Sequence, residues 1–149
     1  MVIYYSSTGR TKAAAEELAK LKGTTAFELR LAKPLGKAVG AVMALLKKAA
    51  PLLASPDISK EPELYLCSPV WAGQMTPAMR QFIAETNFTG KTVSVLLTCA
   101  AAEGHERYKL GVLEALSGKG AAIGFVLVFA SPKEGFDRET LREHLTELT

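Results

Sequence analysis

Five short apolar runs alternate with segments of helical periodicity, and this alternation constrains the fold more than any other feature of the chain. The runs cover residues 2–5, 25–31, 63–67, 93–97 and 123–129. The first run is closed by a polar cluster, after which Ala14, Leu18 and Leu21 fall on one helical face. Because right-handed crossovers leave few ways to wind such a chain, we expect an α/β fold with a single doubly wound, five-stranded parallel sheet in the order 2-1-3-4-5.

Helix-start signals support this interpretation. Thr76 is a hydroxyl N-cap followed by Pro77 at the first helical position, and Asp137 is a second N-cap. The faces expected to be buried are Met79, Phe82 and Ile83, then Tyr108, Val112 and Ala115, then Leu141, Leu145 and Leu148. These signals place one helix after each of the last three strands.

Composition excludes several classes of protein. With 149 residues, 48% apolar and 22% charged, the chain fits one compact domain spanning residues 1–149 and excludes a low-complexity protein. Its longest apolar stretches, residues 38–46 and 121–130, fall short of the roughly 18 residues that span a bilayer. Residues 1–5 show neither a basic leader nor a cleavage site, so we expect a cytoplasmic protein without a membrane span.

Charge and cysteine usage argue against two further functions. The net charge of +3 arises from 18 basic and 15 acidic residues with scattered lysines, so no nucleic-acid partner is expected. Cys67 and Cys99 lack the paired spacing of a zinc site or a disulfide framework, and no general base is identifiable near either thiol. We expect small buried thiols and no metal.

Residues 33–56 are apolar on nearly every helical face. A helical stripe is formed by Val39, Val42, Met43 and Leu46, while other faces carry Leu35, Leu45, Leu52 and Leu53. One interpretation is a helix packed on the sheet. The other is a homodimer or partner contact, with Lys37, Lys47 and Lys48 at its margin.

Three loops are expected to form a ligand site. In an open parallel sheet, ligands bind beyond the carboxyl ends of the strands where the winding direction reverses, which for this order lies between strands one and three. Residues 6–11 follow strand one, residues 68–76 follow strand three, and residues 98–105 follow strand four at the side. The first loop combines several hydroxyls with backbone N–H groups at a helix start, which predicts a phosphate site.

The first loop, Ser6-Ser7-Thr8-Gly9-Arg10-Thr11, resembles the T/S-x-T-G-x-T phosphate loop of flavodoxins. The second, residues 68–77, resembles the flavodoxin-like loop that lays an aromatic side chain beside the isoalloxazine ring of FMN. Trp71, the only tryptophan, also suits stacking on a flat heterocycle. The other interpretation of Trp71 is a side chain that seals the end of the core.

The resemblance implies FMN as the cofactor and assigns residues to its parts. The phosphate would be held by Ser6, Ser7, Thr8, Gly9, Arg10 and Thr11, and the ring would contact Pro69, Val70, Trp71, Ala72 and Gly73. The third loop would border the ring through Thr98, Cys99, Ala100, Ala101 and Gly104. His105 is expected to be a solvent-exposed residue near a helix start.

Two departures from flavodoxins bear on function. The third loop is made of small residues where flavodoxins commonly place glycine, aspartate and tyrosine, which makes room for a nicotinamide or a quinone. The chain also lacks the strongly acidic charge with which electron-carrying flavodoxins attract basic partners.

The functional hypotheses are therefore three. One is an NAD(P)H-dependent oxidoreductase that acts on a quinone-like acceptor. Another is a one-electron carrier with a redox partner protein. The third is a flavin-free flavodoxin-like interaction or regulatory module.

Overall fold

The computed structural model describes residues 1–101, 103–131 and 135–148, so Ala102 of the third loop lies outside the described residues. Its strands are β1 Val2–Tyr4, β2 Ala26–Glu28, β3 Glu63–Trp71, β4 Gln74–Met75, β5 Thr92–Cys99 and β6 Ala122–Ala130. Its helices are α1 Arg10–Lys22, α2 Lys37–Leu45, α3 Pro77–Glu85, α4 His105–Leu116 and α5 Arg138–Glu147. Among the described residues, no helix is long and apolar enough to cross a bilayer.

Five of these six strands form one parallel sheet in the order β2-β1-β3-β5-β6. The two-residue strand β4 is an addition that pairs antiparallel with the end of β3. Without β4, the order reads 2-1-3-4-5, so the expected fold class and winding are confirmed.

Helices cover both faces of the sheet. On one face, Met79 and Phe82 of α3 and Val112 of α4 pack against strand residues such as Leu66 and Val95. The opposite face is covered by α1 and α5, through Ala14, Leu18, Leu141 and Leu145. Burial on both faces explains the nearly continuous apolar sequence of β5.

Both predicted N-caps are present. The Thr76 hydroxyl accepts a hydrogen bond from the Met79 amide at 3.4 Å, and the Asp137 carboxylate accepts one from the Thr140 amide at 3.0 Å. Two predicted core residues are wrong, because Leu21 and Leu148 are 39% and 46% exposed. Leu21 lies in the last turn of α1 and Leu148 follows α5, where the helices reach past the sheet.

The third strand does not end at residue 67, where the predicted apolar run ended. It continues to Trp71, with Pro69 in register with Thr98 of β5. Proline is tolerated there because β1 already ends opposite Cys67, so no neighbour on that side needs the missing N–H. A tight turn follows, in which Ala72 and Gly73 both have positive φ, and it folds β4 back onto β3.

Helix α2 packs on the fold through its small residues and not through the apolar stripe. Its buried residues are Gly40 and Ala44, Met43 is half-buried, and Val39, Val42 and Leu46 are exposed. The segment therefore contains a packed helix, and most of its apolar stripe is exposed. Small side chains face inward because the indole of Trp71 lies beneath Gly40.

The last strand carries a β-bulge. Val93 of β5 is in register with Ile123, whereas Val95 is in register with Val126, so β6 has one extra residue between them. Gly124 lies in the bulge, where a β-carbon would collide with the Ser94 hydroxyl. That hydroxyl instead accepts a hydrogen bond from the Phe125 amide at 3.2 Å.

Candidate functional site

A cleft of about 180 Å³ opens at the carboxyl ends of β1, β3 and β5, at the predicted switch point. It is lined by Ser7, Thr8, Arg10, Thr11, Pro69, Val70, Trp71, Thr98, Cys99, Ala100 and Ser131. All but Ser131 were predicted site residues. Ser131 follows the last strand directly, and that position at the carboxyl end of the sheet is the signal that could have identified it.

The loop after β1 presents the start of α1 to this cleft. Gly9 is the N-cap, with φ of 88° in the left-handed region that favours glycine, and among the described residues no side chain caps this helix start. The Ser6 hydroxyl accepts a hydrogen bond from the Gly9 amide at 3.1 Å, which shapes the loop. Because the first turn of α1 also holds no acidic residue, its N–H groups and partial positive charge suit an anion.

A buried hydroxyl pair joins the first loop to the third. The side-chain oxygens of Thr11 and Thr98 lie 2.8 Å apart, and both residues are buried. The pair fixes the start of α1 relative to the end of β5 at the base of the cleft. Thr11 was predicted as a phosphate ligand, but here its hydroxyl already has a protein partner.

Trp71 forms one wall of the cleft and also supports α2. An ideal β-carbon on Gly40 would lie only 2.5 Å from Cζ3 of the indole, so the ring packs directly on the α2 backbone. The Tyr5 ring meets the indole edge-on, with 5.7 Å between ring centroids. Both interpretations of Trp71 thus find contacts in the structure: the side chain lines the cleft and packs beneath a helix.

The hairpin that carries Trp71 is held by hydrogen bonds at its base and on its return strand. The buried hydroxyls of Ser68 and Thr76 lie 3.1 Å apart and join the two ends of the loop. Further along, Nη2 of Arg80 donates to Oε1 of Gln74 at 2.9 Å. Gln74 is the register partner of Trp71, so α3 helps to fix the strand opposite the indole.

The third loop brings a thiol close to an imidazole. Nε2 of His105 lies 3.8 Å from Sγ of Cys99 and 3.0 Å from the Ala101 carbonyl oxygen, to which the Cys99 thiol also donates at 3.3 Å. Sequence reasoning had placed His105 in solvent and found no base near Cys99. Burial raises the pKa of Cys99, and complete burial raises the pKa of Cys67. Both thiols therefore remain protonated near neutral pH.

Six predicted site residues do not line the cleft. They are Ser6, Gly9, Ala72, Gly73, Ala101 and Gly104. Ser6 and Gly9 shape the first loop from behind, and Ala72 and Gly73 form the hairpin tip. Gly104 is the N-cap of α4, and its open side faces the hydroxyl end of Tyr108, whose ring also lies against Gly73. Tyr108 thus connects the second and third loops.

No protein-family model matches the chain, and no curated protein matches it. Solved structures do match over nearly its whole length. A candidate flavoprotein from Bacteroides uniformis superposes with a TM-score of 0.78 at 23% identity, covering 98% of this chain and 96% of that one. Flavodoxin 1 from Bacillus cereus superposes with a TM-score of 0.56 at 18% identity, covering 99% and 94%.

The chain has the flavodoxin fold. A third match, a flavoprotein from Lactobacillus acidophilus solved in complex with FMN, has a TM-score of 0.73 at 20% identity over 85% of this chain and 90% of that one. Within this flavodoxin fold, the cleft lies at the carboxyl ends of β1, β3 and β5, and so includes the point between β1 and β3 where the strand order reverses.

Proposed function

We propose that this chain binds FMN in the cleft and works as a redox protein. One observation carries the proposal. The same cleft contains the start of α1, whose N-cap is a glycine, and the indole of Trp71. An anion-binding helix start and a flat apolar wall match the two ends of FMN, its phosphate and its isoalloxazine ring. Bound FMN would supply the electron-transfer chemistry.

The donors of the first loop fit a phosphate. Ser7 and Thr8 are exposed just before the first turn of α1, and both line the cleft together with Arg10. Thr11 would act through its amide, since its hydroxyl is paired with Thr98. Ser6 and Gly9 would hold the loop in shape rather than contact the phosphate.

The walls beyond the phosphate end fit an aromatic ring. Pro69, Val70 and Trp71 line the cleft together with Thr98, Cys99 and Ala100. The described part of the third loop contributes no large side chain to this lining, so none from it would block a second flat molecule beside the ring. Small residues here favour an oxidoreductase that takes electrons from NAD(P)H and passes them to a quinone-like acceptor.

The competing role is a one-electron carrier that docks on a redox partner protein. The overall charge of +3 would favour an acidic partner over the basic partners that acidic carriers attract. We prefer the reductase because the small side chains of the third loop belong to the site, whereas the net charge belongs to the whole chain.

The test is optical titration of the purified protein with FMN and with riboflavin, followed by anaerobic NADH or NADPH. We expect quenching of flavin fluorescence, and tighter binding of FMN than of riboflavin, because only FMN carries the phosphate. Bleaching of the visible bands by a nicotinamide would support the reductase, and bands that bleach only with a protein donor would support the carrier. Failure to bind either flavin would refute the cofactor and leave the interaction module.

A further inference from the structure

One exposed surface is apolar and lies in a segment without acidic residues. It consists of Val39, Val42, Leu45 and Leu46 on and just after α2, and these side chains are 56% to 60% exposed. They are four of the ten large apolar side chains that are exposed in the described part of the chain. A concentration of this kind indicates a contact with something other than water. We call these four residues the α2 surface.

Every charged residue in the segment that carries the α2 surface is a lysine. Residues 31–56 contain four lysines, Lys33, Lys37, Lys47 and Lys48, and no acidic residue, while the rest of the chain holds 14 basic and 15 acidic residues. The net positive charge of the chain therefore originates in this segment. All four lysines are exposed, and Glu114 of α4 approaches from outside the segment to pair with Lys47 at 2.9 Å.

The types of residue distinguish between possible occupants. Protein–protein interfaces are enriched in aromatic residues and arginine and depleted in lysine. Residues 31–56 contain no aromatic residue and no arginine, their single methionine, Met43, is half-buried, and the exposed apolar side chains of the α2 surface are all aliphatic. Aliphatic groups flanked by lysines suit a fluid surface that offers acyl chains and anionic headgroups without fixed hydrogen-bond partners.

We propose that the α2 surface docks this protein on anionic lipid bilayers. The aliphatic side chains would enter the boundary between headgroups and acyl chains, and the lysines would contact the headgroup phosphates. Since the opposite face of α2 rests on Trp71 through Gly40, docking would place the cleft wall one helix away from the lipid. This proposal needs no bound flavin and stands independently of the redox function.

The test is co-sedimentation of the full chain with vesicles of phosphatidylcholine alone or with about one third phosphatidylglycerol. We expect binding to the anionic vesicles only, and weaker binding as salt is raised, because salt screens the lysine contacts. Each lysine near an anionic surface contributes about fivefold in affinity, so Lys37→Gln with Lys48→Gln should weaken binding about 30-fold. Val42→Ser with Leu46→Ser should weaken it by about tenfold or more.

Matched controls use exposed residues elsewhere. Lys60→Gln with Arg107→Gln removes the same charge, and Leu110→Ser removes an exposed leucine of α4, so these variants should bind like the parent. Equal weakening by both charge pairs would overturn the proposal, since it would show attraction by net charge alone. Absence of vesicle binding would also overturn it, and a Leu46-dependent dimer in light scattering would assign the surface to a second copy instead.

Discussion

The indole of Trp71 packs against Gly40 so closely that a β-carbon at position 40 would lie 2.5 Å from Cζ3 of the ring. One glycine in α2 therefore determines where the cleft wall stands. Replacing glycine by alanine inside a helix ordinarily stabilises a protein by roughly 0.5–1 kcal/mol. Here the added methyl group must displace the indole or the helix, which reverses the sign of the effect.

We accordingly expect Gly40→Ala to lower the free energy of unfolding by about 1–3 kcal/mol and to weaken flavin binding. Urea unfolding measures the first effect, and near-ultraviolet circular dichroism reports the displaced tryptophan. Gly36→Ala is the matched control, because nothing lies within 4 Å of a β-carbon there. An unchanged tryptophan signal in Gly40→Ala would show that α2 yields instead of the indole.

Thr8→Ala should weaken the binding of FMN but not that of riboflavin. Its hydroxyl is exposed at the cleft beside the start of α1, where it would donate to a phosphate. Loss of one hydrogen bond to a charged group costs about 1.5–3 kcal/mol, so FMN should bind roughly 10- to 100-fold more weakly while riboflavin is unaffected. Fluorescence titration measures both constants, with Thr25→Ala, at the far end of the sheet, as the control. An equal loss for both flavins would place Thr8 beside the ring.

The buried pair Thr11 and Thr98 should show energetic coupling. Thr11→Val or Thr98→Val alone leaves the other buried hydroxyl without its partner, which should lower the free energy of unfolding by about 1–3 kcal/mol. The double variant removes both hydroxyls and should be destabilised by less than the sum of the single variants. A double-mutant cycle from urea unfolding measures the coupling. Additive effects would mean that each hydroxyl finds another partner when the first is lost.

The ion pair between Glu17 of α1 and Arg142 of α5 should stop stabilising the fold in acid. Glu17 is only 4% exposed, and hydrogen bonds from Arg142 hold its pKa below the ordinary 4.5. Because the folded state binds this proton less readily than the unfolded chain, the contribution is complete above pH 4.5 and is lost as the pH falls below that value.

The corresponding variant is Glu17→Gln. It should lower the free energy of unfolding at pH 7 by about 1–2 kcal/mol and flatten the dependence of that energy between pH 5 and 3. Glu143→Gln, an exposed residue of α5, is the control. Urea unfolding at each pH measures this dependence. If the free energy of unfolding fell equally with pH in Glu17→Gln and in the parent, Glu17 would not be the group responsible.

The parallel sheet was predictable because burial on both faces requires continuous apolar runs, and the caps at Thr76 and Asp137 were predictable because they depend on residues next to one another. The packing of α2 was not. Its inward face is determined by Trp71, which lies far away in sequence, so the larger apolar residues of the helix face outward. The approach of His105 to Cys99 also depends on how the third loop turns, which residue types alone do not specify.

The bulge in β6 has a consequence for how copies of this chain behave in a crowded solution. The strand is apolar at every one of its nine residues and lies at the margin of the described sheet, where unpaired backbone groups could recruit another chain into an aggregate. The extra residue at Gly124 and Phe125 interrupts the even ladder that such recruitment needs. We therefore expect a side chain larger than hydrogen at position 124, which would meet the Ser94 hydroxyl, to disturb this interruption and to raise the tendency of the protein to aggregate.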